Sequence, residues 1–320
     1  MTAIEQKYVN LRTEPRRLIF AKSMPFFEDA LITFRKYQFW RLRGQIDRMM
    51  AELLRQGCPL HRVEIETINQ CDGHCNFCPC SRGNDRREPA YMSDKIFLQV
   101  LEELRSMGFQ YGISLMCNGE PFLDHQIVER AALARRMLPD ANISLYTNGR
   151  NLTPAKYRAI MPSLDWMMID NYNDSMKVHG NIRRVLEDAP PSMRSKTTLY
   201  LRREHDIFNT VAGTSPSRKK APTYDIGCVI PFCETVVTPK GNMSICCQDA
   251  QDRFRMGSIV GSSIMDVWHS EKFQQVRSAL ITKRRAGVPL CRPCDCLRRD
   301  IDEYIWMRFY NVERVPLEVI

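Results

Sequence analysis

Val63-Glu64-Ile65-Glu66, followed closely by Cys71-Asp72-Gly73-His74-Cys75-Asn76-Phe77-Cys78-Pro79-Cys80, is the stretch on which the reading of this chain turns. The first four residues alternate apolar and charged, the pattern of a strand. In strand-helix folds ligands gather at the carboxyl ends of strands, and that is where these thiols fall. Three thiolates spaced C-x3-C-x2-C on one loop can wrap three irons of a 4Fe-4S cube and leave the fourth iron open to an outside ligand. A zinc site completed by His74 or Cys80, or unrelated buried thiols, is the alternative reading of the same residues.

Outward from this loop the pattern repeats. Helices are expected at 93–107, with Ser93 or Asp94 near the cap and Gly108 after it, at 124–137, near 154–161 and near 174–187. Between them fall strands at 111–116, 142–147, 165–170 and 196–202. Such alternation implies a parallel sheet, open or curled into part of a barrel. Upstream, Leu42, Ile46, Met49, Met50 and Leu53 place an apolar stripe on a helix over 28–56, closed by Gly57. Its aromatic and basic first half, with Phe34, Tyr37, Phe39 and Trp40, suits a membrane surface or a partner, but packing on the main domain is the simpler expectation. Residues 209–222 are rich in Gly, Pro, Ser, Lys and Arg and read as a linker. There is no internal repeat.

Two further strand ends carry informative residues. Ser114-Leu115-Met116-Cys117-Asn118-Gly119-Glu120-Pro121 closes the second strand, and Tyr146-Thr147-Asn148-Gly149 closes the third. Together with the cysteine loop these segments resemble the radical S-adenosylmethionine (AdoMet) superfamily. Asn118-Gly119-Glu120 resembles its Gly-Gly-Glu element, with Asn118 in place of the first Gly. The resemblance implies that Glu120 meets the amino group of AdoMet, that Gly119 permits close backbone approach, that Thr147 and Asn148 lie near the ribose, and that Arg202 contacts the carboxylate. It also implies a partial (β/α)6 TIM-type barrel.

Beyond the linker the chain reads Cys228-Val-Ile-Pro-Phe-Cys233, then Gly241-Asn-Met-Ser-Ile-Cys246-Cys247, then Cys291-Arg-Pro-Cys294-Asp-Cys296. A hairpin turning at Lys240-Gly241 would bring Cys228 and Cys246 together, and Cys291 with Cys294 forms a knuckle. Two such pairs make a four-thiolate site for zinc or an iron-sulfur cluster. The order of these cysteines, with Met256-Gly257 and Val267-Trp268 between them, resembles the SPASM and shortened twitch extensions of radical AdoMet enzymes. That implies one auxiliary 4Fe-4S cluster on Cys228, Cys246, Cys291 and Cys294, with Cys233, Cys247 or Cys296 able to replace one of them. The expected organisation is an N-terminal helical extension (1–60), a radical AdoMet core (61–210), a linker (211–224), a small cysteine-rich SPASM/twitch-like domain (225–300) and a C-terminal helix or tail (301–320).

Composition agrees with a cytoplasmic metalloprotein. The 320 residues include 13 cysteines, no run approaching the roughly 18 apolar residues of a membrane span, and an N-terminus without a signal-peptide h-region. In a reducing compartment so many thiols point to metal or catalysis rather than disulfides. The net charge of +9 is scattered in short groups such as Arg218 to Lys220, which disfavours nucleic acid.

The resemblance implies an enzyme that cleaves AdoMet reductively and uses the resulting 5'-deoxyadenosyl radical to abstract a substrate hydrogen. An electron donor such as flavodoxin or ferredoxin would feed it. Some single-cluster relatives oxidise aminocyclitols, and no separate peptide-recognition domain is evident. Oxidation or epimerisation of a small carbohydrate-like molecule is therefore the leading expectation. Modification of a peptide side chain, and carbon-carbon or carbon-sulfur bond formation, are the alternatives within the family. A non-catalytic zinc protein binding nucleic acid is the rival outside it. Cys117 and Cys247 are candidate hydrogen donors, with Cys233 and Cys296 in reserve; Asp170 and Glu66 are candidate bases because they end strands.

Overall fold

The computed structural model describes residues 11–13, 27–204, 209–218 and 220–296; the C-terminal helix or tail expected at 301–320 lies outside them. Nine strands form one sheet: β1 (Leu11–Thr13), β2 (Arg62–Ile65), β3 (Gly112–Ser114), β4 (Asn142–Thr147), β5 (Trp166–Tyr172), β6 (Thr197–Arg202), β7 (Glu234–Val237), β8 (Asn242–Ser244) and β9 (Arg255–Ser258). Their order is β1-β6-β5-β4-β3-β2-β7-β8-β9. Pairing is parallel from β1 to β7, and the pairings of β7 with β8 and of β8 with β9 are antiparallel. The parallel part is the expected strand-helix architecture, an open partial barrel.

Side chains alternate across this sheet, and the alternation locates the site. Val63, Ile113, Ile143, Leu145, Met167, Ile169 and Leu199 share one almost completely buried face with Val100 and Leu104, Ala131, Tyr157 and Ile182 from the helices. The opposite face carries Arg62, Glu64, Ser114, Ser144, Asp170 and Arg202. Parallel strands are normally apolar on both sides. A polar second face therefore marks the surface turned toward ligands.

Helix Asp94–Ser106 starts from Ser93, whose hydroxyl accepts from the Ile96 amide at 3.3 Å. Two helices begin later than periodicity suggests. Asp124 receives the Gln126 amide and holds a turn, so the helix starts at Ile127. Asn173 does the same with Ser175, delaying the next helix to Gly180.

The linker expected around 209–222 is packed. Val211 and Ala212 are buried, the Thr210 amide donates to Asp295 at 2.7 Å, and the Ser215 hydroxyl donates to the Phe77 carbonyl at 2.8 Å. The long helix Phe27–Arg55 also departs from expectation. It lies against the cysteine-rich half rather than the strand-helix core alone. Phe39 meets Tyr224 edge-on at 4.7 Å, and Met50 fills the space a side chain at Gly227 would need. Phe34, Tyr37 and Trp40 stay exposed on its other face.

At the entry to β2, His61 is held below the usual imidazole range, at about 4, because burial penalises its charged form. A lowered folded value means that the unfolded chain binds the proton more readily, so stability is lost as pH falls from 6.5 through 4. Urea titrations across this window should show a smaller loss for His61→Phe than for the wild type.

Candidate active site and iron-sulfur centres

The loop leaving β2 carries Cys71, Cys75 and Cys78. A Cβ added at Gly73 would sit 3.3 Å from the Cys71 sulfur and 3.6 Å from that of Cys75. Both thiols therefore converge on the backbone at Gly73, where a side chain would crowd the Cys71 sulfur, and the Gly73 amide donates to that sulfur at 3.3 Å. Burial pushes Cys71 and Cys75 up to about 12. Bound iron would supply the positive charge that makes such thiolates stable. His74 is exposed, and the Cys80 thiol is fully buried and donates to the Ala250 carbonyl at 3.0 Å. Hydrogen bonding from Cys80 draws Cys78 down toward its thiolate form. The donor set is thus three thiols with a buried fourth supporting one of them, which fits a cluster with an open iron better than tetrahedral zinc.

Glu120 lies beneath this loop, 2% exposed. Its carboxylate accepts from the Thr147 hydroxyl at 2.7 Å, the Asn148 amide at 2.8 Å and the Phe122 amide at 3.1 Å. Burial raises it to about 7. The sequence suggested an anion facing AdoMet; the structure shows a carboxylate already engaged in joining the ends of β3 and β4. Gly119 brings this turn against the loop before Cys71, where a Cβ would lie 2.0 Å from the Ile68 carbonyl oxygen. The Asn148 side chain continues upward, donating to Asp72 at 2.9 Å and lying 3.8 Å from the Cys71 sulfur.

On the polar face, Glu66 is not an open base: Arg87 donates to both its oxygens at 3.1 and 3.0 Å, and the Asn118 amide donates at 3.2 Å. Asn118 also donates through its side chain to the Cys117 sulfur at 3.0 Å and to the Cys247 carbonyl at 3.1 Å. Cys117, beside Glu64 and Glu66, is raised well above the ordinary thiol range chiefly by burial. Asp170 and Arg202, expected in separate roles, form an ion pair at 3.2 Å, and the guanidinium stacks 3.6 Å from the Tyr200 ring. Sequence reasoning passed over Glu64 and Glu234, whose carboxylates lie within 4.8 Å of the Cys247 sulfur and of each other. Arg62 stands 3.5 and 3.8 Å from the two carboxylates. The available signal was charge alternating with Val63 and Ile65 in a parallel strand.

The hairpin expected at Lys240-Gly241 is present between β7 and β8, and the four cysteines of the second set come together. Cys228, Cys246, Cys291 and Cys294 line one small cavity with Ile230, Leu290, Gln248, Arg285 and Cys296. Cys246, Cys291 and Cys294 are each raised, first by burial and then by neighbouring thiols. Four sulfurs converging without a carboxylate or imidazole in the lining suit a closed cluster. Two of the three reserve cysteines are elsewhere: Cys233 donates toward the Val229 carbonyl at 3.5 Å, and Cys247 faces Glu64 and Glu234. Cys296 stays beside the cavity.

Comparison with known proteins agrees with this arrangement. Residues 65–187 match the family model of the radical SAM superfamily, and residues 228–295 match SPASM, an iron-sulfur cluster-binding domain. The chain is 27% identical over 233 residues to the S-adenosyl-L-methionine-dependent 2-deoxy-scyllo-inosamine dehydrogenase of Niallia circulans, covering 73% of this chain and 92% of that protein. Its fold is similar to BtrN in complex with AdoMet and 2-DOIA, with TM-score 0.66 at 24% identity over 74% of this chain and 94% of that one. It is also similar to anSMEcpe with bound AdoMet, with TM-score 0.50 at 12% identity over 78% and 84%. The fold and its two cysteine centres define an iron-sulfur enzyme built on a partial α/β barrel. More particularly, the chain carries a radical SAM region at 65–187 followed by a SPASM-type iron-sulfur cluster-binding region at 228–295. No described helix is long and apolar enough to cross a membrane.

Anaerobic reconstitution should load about eight irons per chain, the content of two cubes, and Cys71→Ala or Cys291→Ala should each remove about half. Glu120→Ala strands three buried donors and should cost about 3 kcal/mol in urea unfolding, whereas Glu120→Gln, which keeps one acceptor, should cost less.

Proposed function

We propose that the chain oxidises a secondary alcohol of a small, polar, carbohydrate- or aminocyclitol-like molecule to a ketone. The observation carrying this reading is the match along almost the whole of an aminocyclitol dehydrogenase, joined to one four-thiol cavity among the described residues. Cys71, Cys75 and Cys78 would hold the AdoMet-binding cluster, and Cys228, Cys246, Cys291 and Cys294 the auxiliary one. When bound, these groups supply one-electron chemistry: reductive cleavage of AdoMet, and acceptance of an electron from the oxidised substrate. Oxidation of the alcohol removes one hydrogen atom, one proton and one electron: the bound AdoMet would supply the hydrogen-atom acceptor, a base of this chain would take the hydroxyl proton, and the cluster that Cys228, Cys246, Cys291 and Cys294 would hold would supply the electron acceptor. Methionine, 5'-deoxyadenosine and the ketone are the products. A reduced flavodoxin or ferredoxin supplies the electron that starts each turnover, in the cytoplasm, where thirteen cysteines outside any disulfide are stable.

This chain's residues orient and exclude. Glu120, Thr147 and Asn148 fix the floor under AdoMet, and Asn118 fastens that floor to the Cys247 backbone. Asp170, oriented by Arg202 at 3.2 Å, receives the hydroxyl proton.

Incubation of reconstituted protein with aminocyclitols and sugars should yield a ketone and 5'-deoxyadenosine in equal amounts. Epimer carrying solvent deuterium at one carbon would replace oxidation by hydrogen return from Cys117 or Cys247, and a mass shift only in a peptide would overturn the substrate class. Asp170→Asn should slow ketone formation about 100-fold, the scale of a lost general base, while 5'-deoxyadenosine still forms.

A further inference from the structure

Arg285 is 2% exposed and lies in the wall of the four-cysteine cavity. Its guanidinium donates to the carbonyls of Cys294 and Cys296, both at 2.7 Å, and of Gly227 at 3.3 Å. These carbonyls belong to a candidate cluster ligand and to residues flanking Cys228 and following Cys294. Among the described residues no carboxylate lies within ion-pair distance of it. The nearest acid in the sequence of the knuckle, Asp295, is already paired with Arg35 and with Arg218 at 3.4 Å, and it accepts from Thr210. A guanidinium buried without a counter-charge is strongly disfavoured, and stacking 5.2 Å from the Phe39 ring offsets only part of that. The groups facing Arg285 that become anionic on binding metal are the cavity's thiols. Arg277 makes the contrast: it is equally buried, but it stacks on Trp268 at 4.2 Å and Phe273 at 4.9 Å and does not line the cavity.

We propose that Arg285 is the built-in counter-charge of the auxiliary cluster, stabilising its reduced, more negative form and so raising its potential enough to take the electron from the substrate radical. This rests on the functional reading above. A cluster held by four thiolates carries net negative charge and becomes more negative on accepting an electron. A fixed cation in a site shielded from water favours that step and needs no rearrangement. Helix Phe27–Arg55 contributes by holding Phe39 over the guanidinium, which gives the N-terminal extension a part in the chemistry.

The test uses full-length Arg285→Met and Arg285→Lys, reconstituted anaerobically, with potentiometric titration followed by electron paramagnetic resonance. In Arg285→Met the auxiliary midpoint should fall by at least about 59 mV, a tenfold change for one electron, while the other cluster keeps its potential; Arg285→Lys should stay near the wild type. Ketone formed per 5'-deoxyadenosine should fall in parallel. An unchanged auxiliary midpoint in Arg285→Met with full iron content overturns the proposal. If Arg285→Met loses the auxiliary cluster, Arg285→Lys decides: a cluster kept at the wild-type potential supports the charge role, and its loss there too shows that the fork to the carbonyls is what matters and overturns it. The potential is read without substrate, so failure to oxidise any alcohol would overturn the functional reading and leave this measurement standing.

Discussion

One buried carboxylate organises the cofactor end of this molecule. Glu120 accepts three hydrogen bonds, two from residues at the end of β4 and one from its own turn. Its backbone amide donates to the Gln70 carbonyl at 2.7 Å, one residue before Cys71. Because the group is almost fully buried, removing any donor leaves an anion in low dielectric, so all the contacts are retained together or lost together. The position of the three-cysteine loop follows from this joint. Asn148, fixed by Glu120 on one side, carries the constraint to Asp72 and the Cys71 sulfur on the other.

The second cysteine centre is tied into the same framework rather than appended to it. β7 pairs in parallel with β2, the strand from which the first cysteine loop departs. Above that shared sheet, Cys80 bonds to Ala250, Gln251 donates to the Pro79 carbonyl at 2.7 Å, and Asn118 donates to the Cys247 carbonyl. Each of these contacts ties a side chain of one segment to the backbone of the other across the space between the centres. A rigid separation is what one-electron transfer through a substrate between them needs. The long N-terminal helix then buttresses the far side of the second centre through Phe39 and Met50.

Much of this was legible before any coordinates. Period-two and period-3.6 patterns identified strands and helices because a sheet with one apolar face and a helix with one apolar stripe must write those periods into the chain. Thiol spacing revealed the three-cysteine loop, and the turn at Lys240-Gly241 brought Cys228 and Cys246 to one cavity. The departures share a cause. Asp124 and Asn173 delay helices through side-chain bonds to nearby backbone that periodicity does not register. The stretch around 209–222 has the composition of a linker but is packed, because Thr210 and Ser215 bond to residues 85 and 138 positions away.

By itself, then, the sequence determined the strand-helix class, the two thiol sets and the reactive family, since each depends on residues near one another in the chain. Only tertiary structure decided which groups are committed. Glu120 is a strut rather than an open anion, Glu66 belongs to Arg87, Asp170 is held in place by Arg202, and Arg285 faces four thiols with no acid beside it among the described residues. Whether a charged side chain is available for chemistry depends on what burial places next to it, and those partners come from strands and loops far apart in the sequence.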